Sequence, residues 1–197
     1  MIRGAERGSA EPTATAARLI LLNGLPGVGK STVAAAWSAR RPGTLNLDID
    51  VVRSLISGVV GDTAEPARAL GLAMAVHHLR GGRDVVVPQL VARADQVSRF
   101  RAAAASAGAR FVHLLLEAPE DLVADRVAAD SAPHRRDLGP AALAAYAAGL
   151  REVALLPGAH RLDNGELADV VERLDVLAGP AGHGCGGSAS TSPATGR

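Results

Sequence analysis

Between residues 18 and 178, short apolar runs alternate with longer segments of helical spacing. The clearest runs are almost continuous in Leu, Ile and Val, as expected of strands buried on both faces of a sheet. In the longer segments apolar residues recur every three or four positions, the pattern of helices with one buried face. Strands are predicted over residues 18–23, 44–48, 84–87, 111–116 and 160–163. Helices are predicted over residues 31–40, 50–57, 64–80, 96–107, 119–129, 141–155 and 166–178.

Polar residues and glycines mark several predicted helix ends. Thr63 is expected to cap the helix over 64–80, with Pro66 in its first turn, where no N–H group is needed. Asp95 is expected to cap the following helix and Gly108 to end it.

Strands separated by helices predict an α/β fold, with a five-stranded parallel sheet between two layers of helices. Ligands of such folds bind at the carboxyl ends of the strands. One domain is predicted over residues 18–178. The segments 1–17 and 179–197 are small and polar, the second rich in Gly, Ser, Thr and Pro, and both are predicted to be disordered tails.

A glycine-rich loop connects the first predicted strand to the first helix. It reads G-x-x-x-x-G-K-S-T, the phosphate-binding loop or Walker A pattern, in the strand–loop–helix order that this motif requires. Glycines let main-chain N–H groups approach a phosphate, and the helix N-terminus adds further donors. The predicted nucleotide-binding residues of this loop are Gly24, Leu25, Pro26, Gly27, Val28, Gly29, Lys30, Ser31 and Thr32.

Lys30 is the only lysine among the 21 basic residues of the chain. In a phosphate loop this side chain reaches the β- and γ-phosphates of ATP, and the hydroxyl of Ser31 ligates Mg²⁺. Every other basic residue of the chain is arginine, and the one compact ammonium lies at the position that contacts phosphate in a phosphate loop.

Composition narrows the classes of partner. The net charge of +1 and the 2% aromatic content give no electrostatic or stacking case for nucleic acid. No apolar segment has the length of a signal peptide core or a membrane span, and the single cysteine, Cys185, cannot form an internal disulfide. A cytoplasmic protein without a membrane partner is expected, and its oligomeric state is left open.

Carboxylates follow the second predicted strand, at the edge where the phosphate loop should lie. Asp48 and Asp50 are followed by Arg53, three residues after Asp50, so Asp50 and Arg53 would share a helix face. A carboxylate there can accept a proton from an acceptor hydroxyl, or bind Mg²⁺ through water. The alternative is a helix-capping aspartate with a surface arginine.

With these motifs, residues 19–177 resemble the small P-loop kinases of the adenylate-kinase-like class. That class includes gluconate kinase, chloramphenicol phosphotransferase, polynucleotide 5′-hydroxyl kinases and zeta toxins. The resemblance implies a three-layer α/β/α P-loop NTPase fold. It is carried by LLNGLPGVGKST (21–32), LDIDVVR (47–53), GRDVVV (82–87), ARFVHLLLEAPEDLVADRV (109–127) and HRLDNGELADVVERL (160–174).

The resemblance also implies roles for residues outside the loop. Asp50 would be the general base and Arg53 its positioning partner. Asp48 would either support these residues from behind or be a water-mediated magnesium contact. Arg126 matches the first arginine of the lid, and Arg135 with its neighbour Arg136 could supply the lid charge. The segment containing Asn164 would lie near the adenine.

The chain departs from the class pattern after the third strand. Pro88 and Gln89 stand where these kinases often carry an acidic residue, so that magnesium would rest on Ser31, phosphate oxygens and water. Gln89 could contact substrate or be a simple loop amide.

The predicted function is transfer of the γ-phosphoryl group of Mg-ATP to a hydroxyl of a small molecule. One alternative is an ATP-binding regulatory or resistance protein with little transferase activity. Another is a kinase of nucleic-acid 5′-hydroxyls. A Ras-type GTPase is excluded, because its N-K-x-D motif needs a second lysine.

Overall fold

The computed structural model describes residues 16–119 and 139–179. Its strands are β1 (Arg18–Asn23), β2 (Leu45–Asn46), β3 (Val85–Pro88), β4 (Arg110–Glu117) and β5 (Ala159–Asp163). Its helices are α1 (Lys30–Ala39), α2 (Ile49–Ser54), α3 (Val60–Arg80), α4 (Ala94–Ser106), α5 (Pro140–Val153) and α6 (Leu167–Ala178). The predicted helix over 119–129 and nearly all of both predicted tails lie outside the described residues. None of the described helices is long and apolar enough to cross a membrane.

The five strands form one parallel sheet in the order β2-β3-β1-β4-β5. β1 lies at its centre, where Leu22 is in register with Pro88 of β3 and Leu114 of β4. All carboxyl ends therefore meet at one edge, and the segment that follows β1 emerges in the middle of it. The predicted α/β class and the five-stranded parallel sheet are confirmed.

Alternate residues of β1 supply the cores on the two faces of the sheet. Ile20 and Leu22 pack in one cluster with α1 and α6, and Leu19 and Leu21 pack in the other with α3, α4 and α5. All four side chains are fully buried, and each burial stabilises the fold by about 1.5–3 kcal/mol. This burial on both faces explains why β1 is a continuous apolar run and confirms the three-layer arrangement.

Two predicted helix starts are wrong. α3 begins at Val60, because the carbonyl of Val59 already accepts the N–H groups of Asp62 and Thr63. Thr63 is therefore a buried residue of the first turn rather than the cap, and Pro66 lies inside the helix, beyond the first turn.

The second wrong start is that of α4. Its capping position is occupied by Arg93, and Asp95 lies within the first turn. The Asp95 carboxylate instead accepts two hydrogen bonds from the Arg93 guanidinium, at 2.9 and 3.0 Å. This ion pair lowers the pKa of the Asp95 carboxyl.

Candidate active site

The glycine loop between β1 and α1 has the backbone that its sequence predicts. Gly24, Gly27 and Gly29 have φ values of +145°, +79° and +96°, which favour glycine. A Cβ atom on Gly24 would lie 2.4 Å from the main-chain oxygen of Leu116 in β4. The loop is thus packed against the neighbouring strand too closely for any side chain at its first position.

Lys30 opens α1 directly behind this loop. Its ammonium donates hydrogen bonds to the carbonyl oxygens of Gly24 and Leu25, at 2.9 and 2.8 Å. Ser31 follows in the exposed first turn of the helix. The ammonium, the serine hydroxyl and the positive end of the helix dipole therefore converge on the mouth of the loop, an arrangement suited to an anion.

The two aspartates after β2 have different roles in the local structure. Asp48 is the N-cap of α2, and its Oδ1 accepts the main-chain N–H of Asp50 at 2.9 Å. Asp50 lies inside the first turn, where its Oδ1 is 3.2 Å from Nη2 of Arg53. The capping alternative raised for Asp50 is thus fulfilled by Asp48, and the Asp50 carboxylate is oriented by an arginine.

A cleft of about 360 Å³ joins these groups. Its walls come from the phosphate loop, α2, α3, the segment after β3, and α5. The polar residues that line it are Lys30, Ser31, Asp48, Asp50, Arg53, Arg68, Gln89, Arg93, Gln96 and Tyr146. The predicted base, its arginine and the two magnesium candidates therefore share one cleft with the lysine of the phosphate loop.

The remaining predicted site residues lie elsewhere. Asn164 is on the side of the loop nearer β5, where its Nδ2 donates to the carbonyl of Val28 at 2.7 Å and its N–H to that of Glu117 at 2.6 Å. Asn164 thus braces the phosphate loop against the end of β4. Arg126 and Arg135, the predicted lid arginines, lie outside the described residues.

The sequence model of one family, the AAA domain, matches residues 19–153. The chain belongs to the AAA domain family. A search of curated proteins gave no match.

Solved structures show the same fold as this AAA domain. The tunicamycin resistance protein of Deinococcus radiodurans has a TM-score of 0.63 and 22% identity, over 83% of this chain and 96% of that one. An APS kinase of Mycobacterium tuberculosis, in complex with AMPPNP and APS, has a TM-score of 0.54 and 22% identity, over 83% and 98%. A gluconokinase of Sinorhizobium meliloti has a TM-score of 0.52 and 18% identity, over 85% and 93%. Family and fold confirm the resemblance to small P-loop kinases.

Asn23 is a part of the candidate site that the sequence did not reveal. It is the last residue of β1 and fully buried. Its Oδ1 accepts the N–H groups of Gly24 and Val91, both at 2.8 Å, and its Nδ2 donates to the carbonyl of Val91 at 2.8 Å. One amide thus ties the phosphate loop to the cleft wall that follows β3. The available signal was a lone polar residue between an apolar run and the first loop glycine.

His113 of β4 lies behind this link and is also fully buried. Its Nε2 is 3.3 Å from Nδ2 of Asn23. The Nδ2 group of Asn23 can only donate, so Nε2 of His113 is the acceptor. The imidazole is therefore neutral, a tautomer inferred from the network. Burial, with smaller contributions from the charges of Arg101 and His160, lowers the pKa of His113 to about 4. The residue is a core histidine.

We expect Asn23→Ala to destabilise the AAA domain by about 2–4 kcal/mol, because polar main-chain groups of Gly24 and Val91 lose their buried partner. Nucleotide affinity should fall as well, since the loop loses its support. Urea unfolding and titration with a fluorescent ATP analogue measure both effects. Asn46→Ala, on an exposed residue of β2, is the matched control. Equal stability of the two variants would show that the amide link is dispensable.

We expect His113 to make stability depend on pH. The folded pKa of about 4 lies below the ordinary value of 6.5, so between these pH values the unfolded chain binds a proton that the folded protein does not. The contribution of His113 to stability is therefore complete above pH 6.5. That contribution, at most about 3 kcal/mol, falls progressively as the pH drops from 6.5 to 4. Urea unfolding across this range should show a slope that His113→Gln reduces and that His77→Gln, on an exposed residue, leaves unchanged. An unaltered slope in His113→Gln would contradict the assignment.

Proposed function

We propose that this AAA domain is an ATP-dependent kinase that moves the γ-phosphoryl group of Mg-ATP to a hydroxyl of a small molecule. The observation that carries the proposal is the shared cleft, in which the Asp50–Arg53 pair faces the same space as Lys30 and Ser31. A site that only bound nucleotide would need no arginine-oriented carboxylate beside its phosphate loop. The fold of an APS kinase solved with AMPPNP and APS supports the same conclusion.

In the proposed reaction, loop N–H groups and the Lys30 ammonium hold the phosphates of ATP and stabilise the charge that develops on the moving group. Asp50 accepts the proton of the acceptor hydroxyl as the new P–O bond forms and the bond to ADP breaks. Arg53 keeps the Asp50 carboxylate in one orientation, with Nη2 of Arg53 lying 3.2 Å from Oδ1 of Asp50. Catalysis by positioning is the main contribution expected for phosphoryl transfer.

The residues of the cleft fit a magnesium ion held mainly by phosphate oxygens. Within residues 16–119 and 139–179, no group of three or more His, Cys, Asp or Glu could hold a metal. Oxygen donors are present in Ser31, Asp48 and Gln89, and Oε1 of Gln89 is buried without a hydrogen-bond partner in this part of the chain. We propose that Ser31 ligates the ion and that Asp48 and Gln89 act through water, because Mg²⁺ retains several waters. When bound, the ion would neutralise phosphate charge.

The adenine and the lid stay predictions. We propose that the adenine lies beside Asn164, whose hydrogen bonds to Val28 and Glu117 fix that side of the loop. Arg126 or Arg135 is proposed to neutralise the transferring phosphoryl group when the lid closes. A small acceptor is favoured over nucleic acid. Single strands bind by stacking their bases on aromatic side chains, and Tyr146 is the one aromatic residue among the described residues that line the cleft.

A second candidate function is ATP binding with little transfer, as in a regulatory protein. It is favoured by Pro88 and Gln89, which leave the end of β3 without a carboxylate. Incubation with ATP radiolabelled in its γ-phosphoryl group and with sugars, antibiotics, nucleosides and amino-alcohols separates the two. The kinase proposal predicts a labelled organic product. Tight ATP binding without such a product would favour the regulatory function.

A further inference from the structure

Cationic side chains dominate the wall of the cleft formed by α3 and the start of α4. Arg68 of α3 and Arg93 before α4 both line the space. The carboxylates among the described lining residues, Asp48 and Asp50, belong instead to the start of α2, beside the phosphate loop. The two ends of the cleft therefore offer different chemistry to a bound molecule.

Arg68 shares its carboxylate with a second arginine. The two oxygens of Glu65 lie 2.6 Å from Nη1 of Arg68 and 2.6 Å from Nη2 of Arg99. Hydrogen bonding to Arg99, more than to Arg68, lowers the pKa of the Glu65 carboxyl. With one negative and two positive groups, this cluster retains a net charge of +1 at neutral pH.

Among the residues that the structure describes, each of the other two arginines of the cleft lies beside a carboxylate of its own. Arg53 has Asp50 at 3.2 Å, and Arg93 has Asp95 at 2.9 Å. The excess positive charge of this wall is thus concentrated at Arg68, the lining member of its cluster. Its side chain is 28% exposed, so it is partly shielded from water while still reaching the cleft.

We propose that the acceptor is an anionic hydroxyl compound, whose carboxylate or phosphate group is bound by Arg68 while its hydroxyl faces Asp50. The inference rests on the proposed kinase function and names the class of its substrate. A guanidinium binds either anion through paired hydrogen bonds of fixed direction. Anchoring one end of the molecule at α3 leaves its hydroxyl in a defined place at α2, and a cleft of about 360 Å³ is of the size that holds small molecules.

The first test measures anion binding without catalysis. With the phosphate loop saturated by AMPPNP and Mg²⁺, sulfate is added against sodium chloride of equal ionic strength, and the Tm is recorded. Sulfate should raise the Tm of wild-type protein and of Arg80→Gln, an exposed residue at the end of the same helix. In Arg68→Gln the rise should be less than half as large. Equal rises in all three proteins would overturn the anion site.

The second test uses acceptor pairs in the labelled-ATP assay. Each pair is a hydroxy acid with its neutral methyl ester or amide, or a phosphate monoester with its neutral dimethyl triester. Loss of the charge should lower kcat/KM by about 10- to 100-fold, the range for one charge-assisted contact. Arg68→Gln should raise KM for the acid by a similar factor with little change in kcat, and should remove the preference for the acid.

The outcomes distinguish failure of this inference from failure of the kinase proposal. Equal phosphorylation of acid and neutral compounds would overturn the anionic acceptor and leave the kinase function intact. An Arg68-dependent effect of sulfate without phosphorylation of any compound would support the anion site and contradict the kinase. Loss of both effects would contradict both.

Discussion

Replacing Lys30 by alanine is expected to weaken ATP binding by about 10- to 100-fold, the loss of one charge-assisted contact to phosphate. The ammonium is already held over the loop by the carbonyls of Gly24 and Leu25, so a phosphate meets it with little reorganisation. Titration with a fluorescent ATP analogue measures the change.

The control for Lys30→Ala is Arg40→Ala, which removes an exposed cation just after the other end of α1. Lys30 also bonds the loop itself, so its removal could affect folding. Circular dichroism and Tm are therefore used to check that both variants are folded. Lys30→Arg should bind ATP less well than wild type, since a planar guanidinium does not fit where a compact ammonium does. Wild-type affinity in folded Lys30→Ala would contradict the phosphate-binding loop.

Asp50→Asn is expected to lower the rate of phosphoryl transfer by about 10²- to 10⁴-fold, the contribution of a general base. ATP affinity should change by less than about twofold, because Asp50 is proposed to contact the acceptor rather than the nucleotide. The amide keeps the shape of the side chain and loses the ability to accept the hydroxyl proton. The measurement is single-turnover transfer from labelled ATP, with nucleotide affinity determined on the same preparations.

Asp62→Asn is the matched control, because Asp62 is an exposed acidic residue in the first turn of α3. It should transfer phosphoryl groups at the wild-type rate. Asp48→Ala differs again, since it removes the side-chain cap of α2 and should impair both stability and transfer. If Asp50→Asn retained full transfer, the proton acceptor would have to be a different group.

Local signals predicted the part of the site that is made of consecutive residues. The strand, loop and first helix lie within one residue of their predicted bounds, because the apolar run, the glycines and the helical pattern are adjacent in the chain. The pairing of Asp50 with Arg53 was also predictable from local sequence, because a spacing of three residues places them on one helix face. Which aspartate caps α2 could not be predicted, since both residue positions satisfy the capping preference.

Contacts between distant segments could not be predicted. Asn23 bonds Val91, 68 residues away, and nothing in either residue type specifies the partner. Gly149 in α5 is a similar case, because a Cβ there would lie 2.3 Å from the main-chain oxygen of Ala92. From the sequence alone, a glycine inside a helix is expected only to weaken that helix. Its packing role becomes clear when the opposing backbone is known. The net charge at Arg68 likewise depends on how α3 packs against α4, which brings Arg99 to Glu65.

The proposed kinase moves the γ-phosphoryl group of bound ATP to an organic hydroxyl. The most direct measurement is the ratio of labelled acceptor to ADP formed by wild-type protein, with a reaction that lacks the protein as the blank. A kinase should form one labelled acceptor for each ADP, and its formation of ADP should depend on the acceptor. ADP accompanied only by labelled inorganic phosphate, or bound ATP that remains intact with every acceptor, would contradict the kinase proposal.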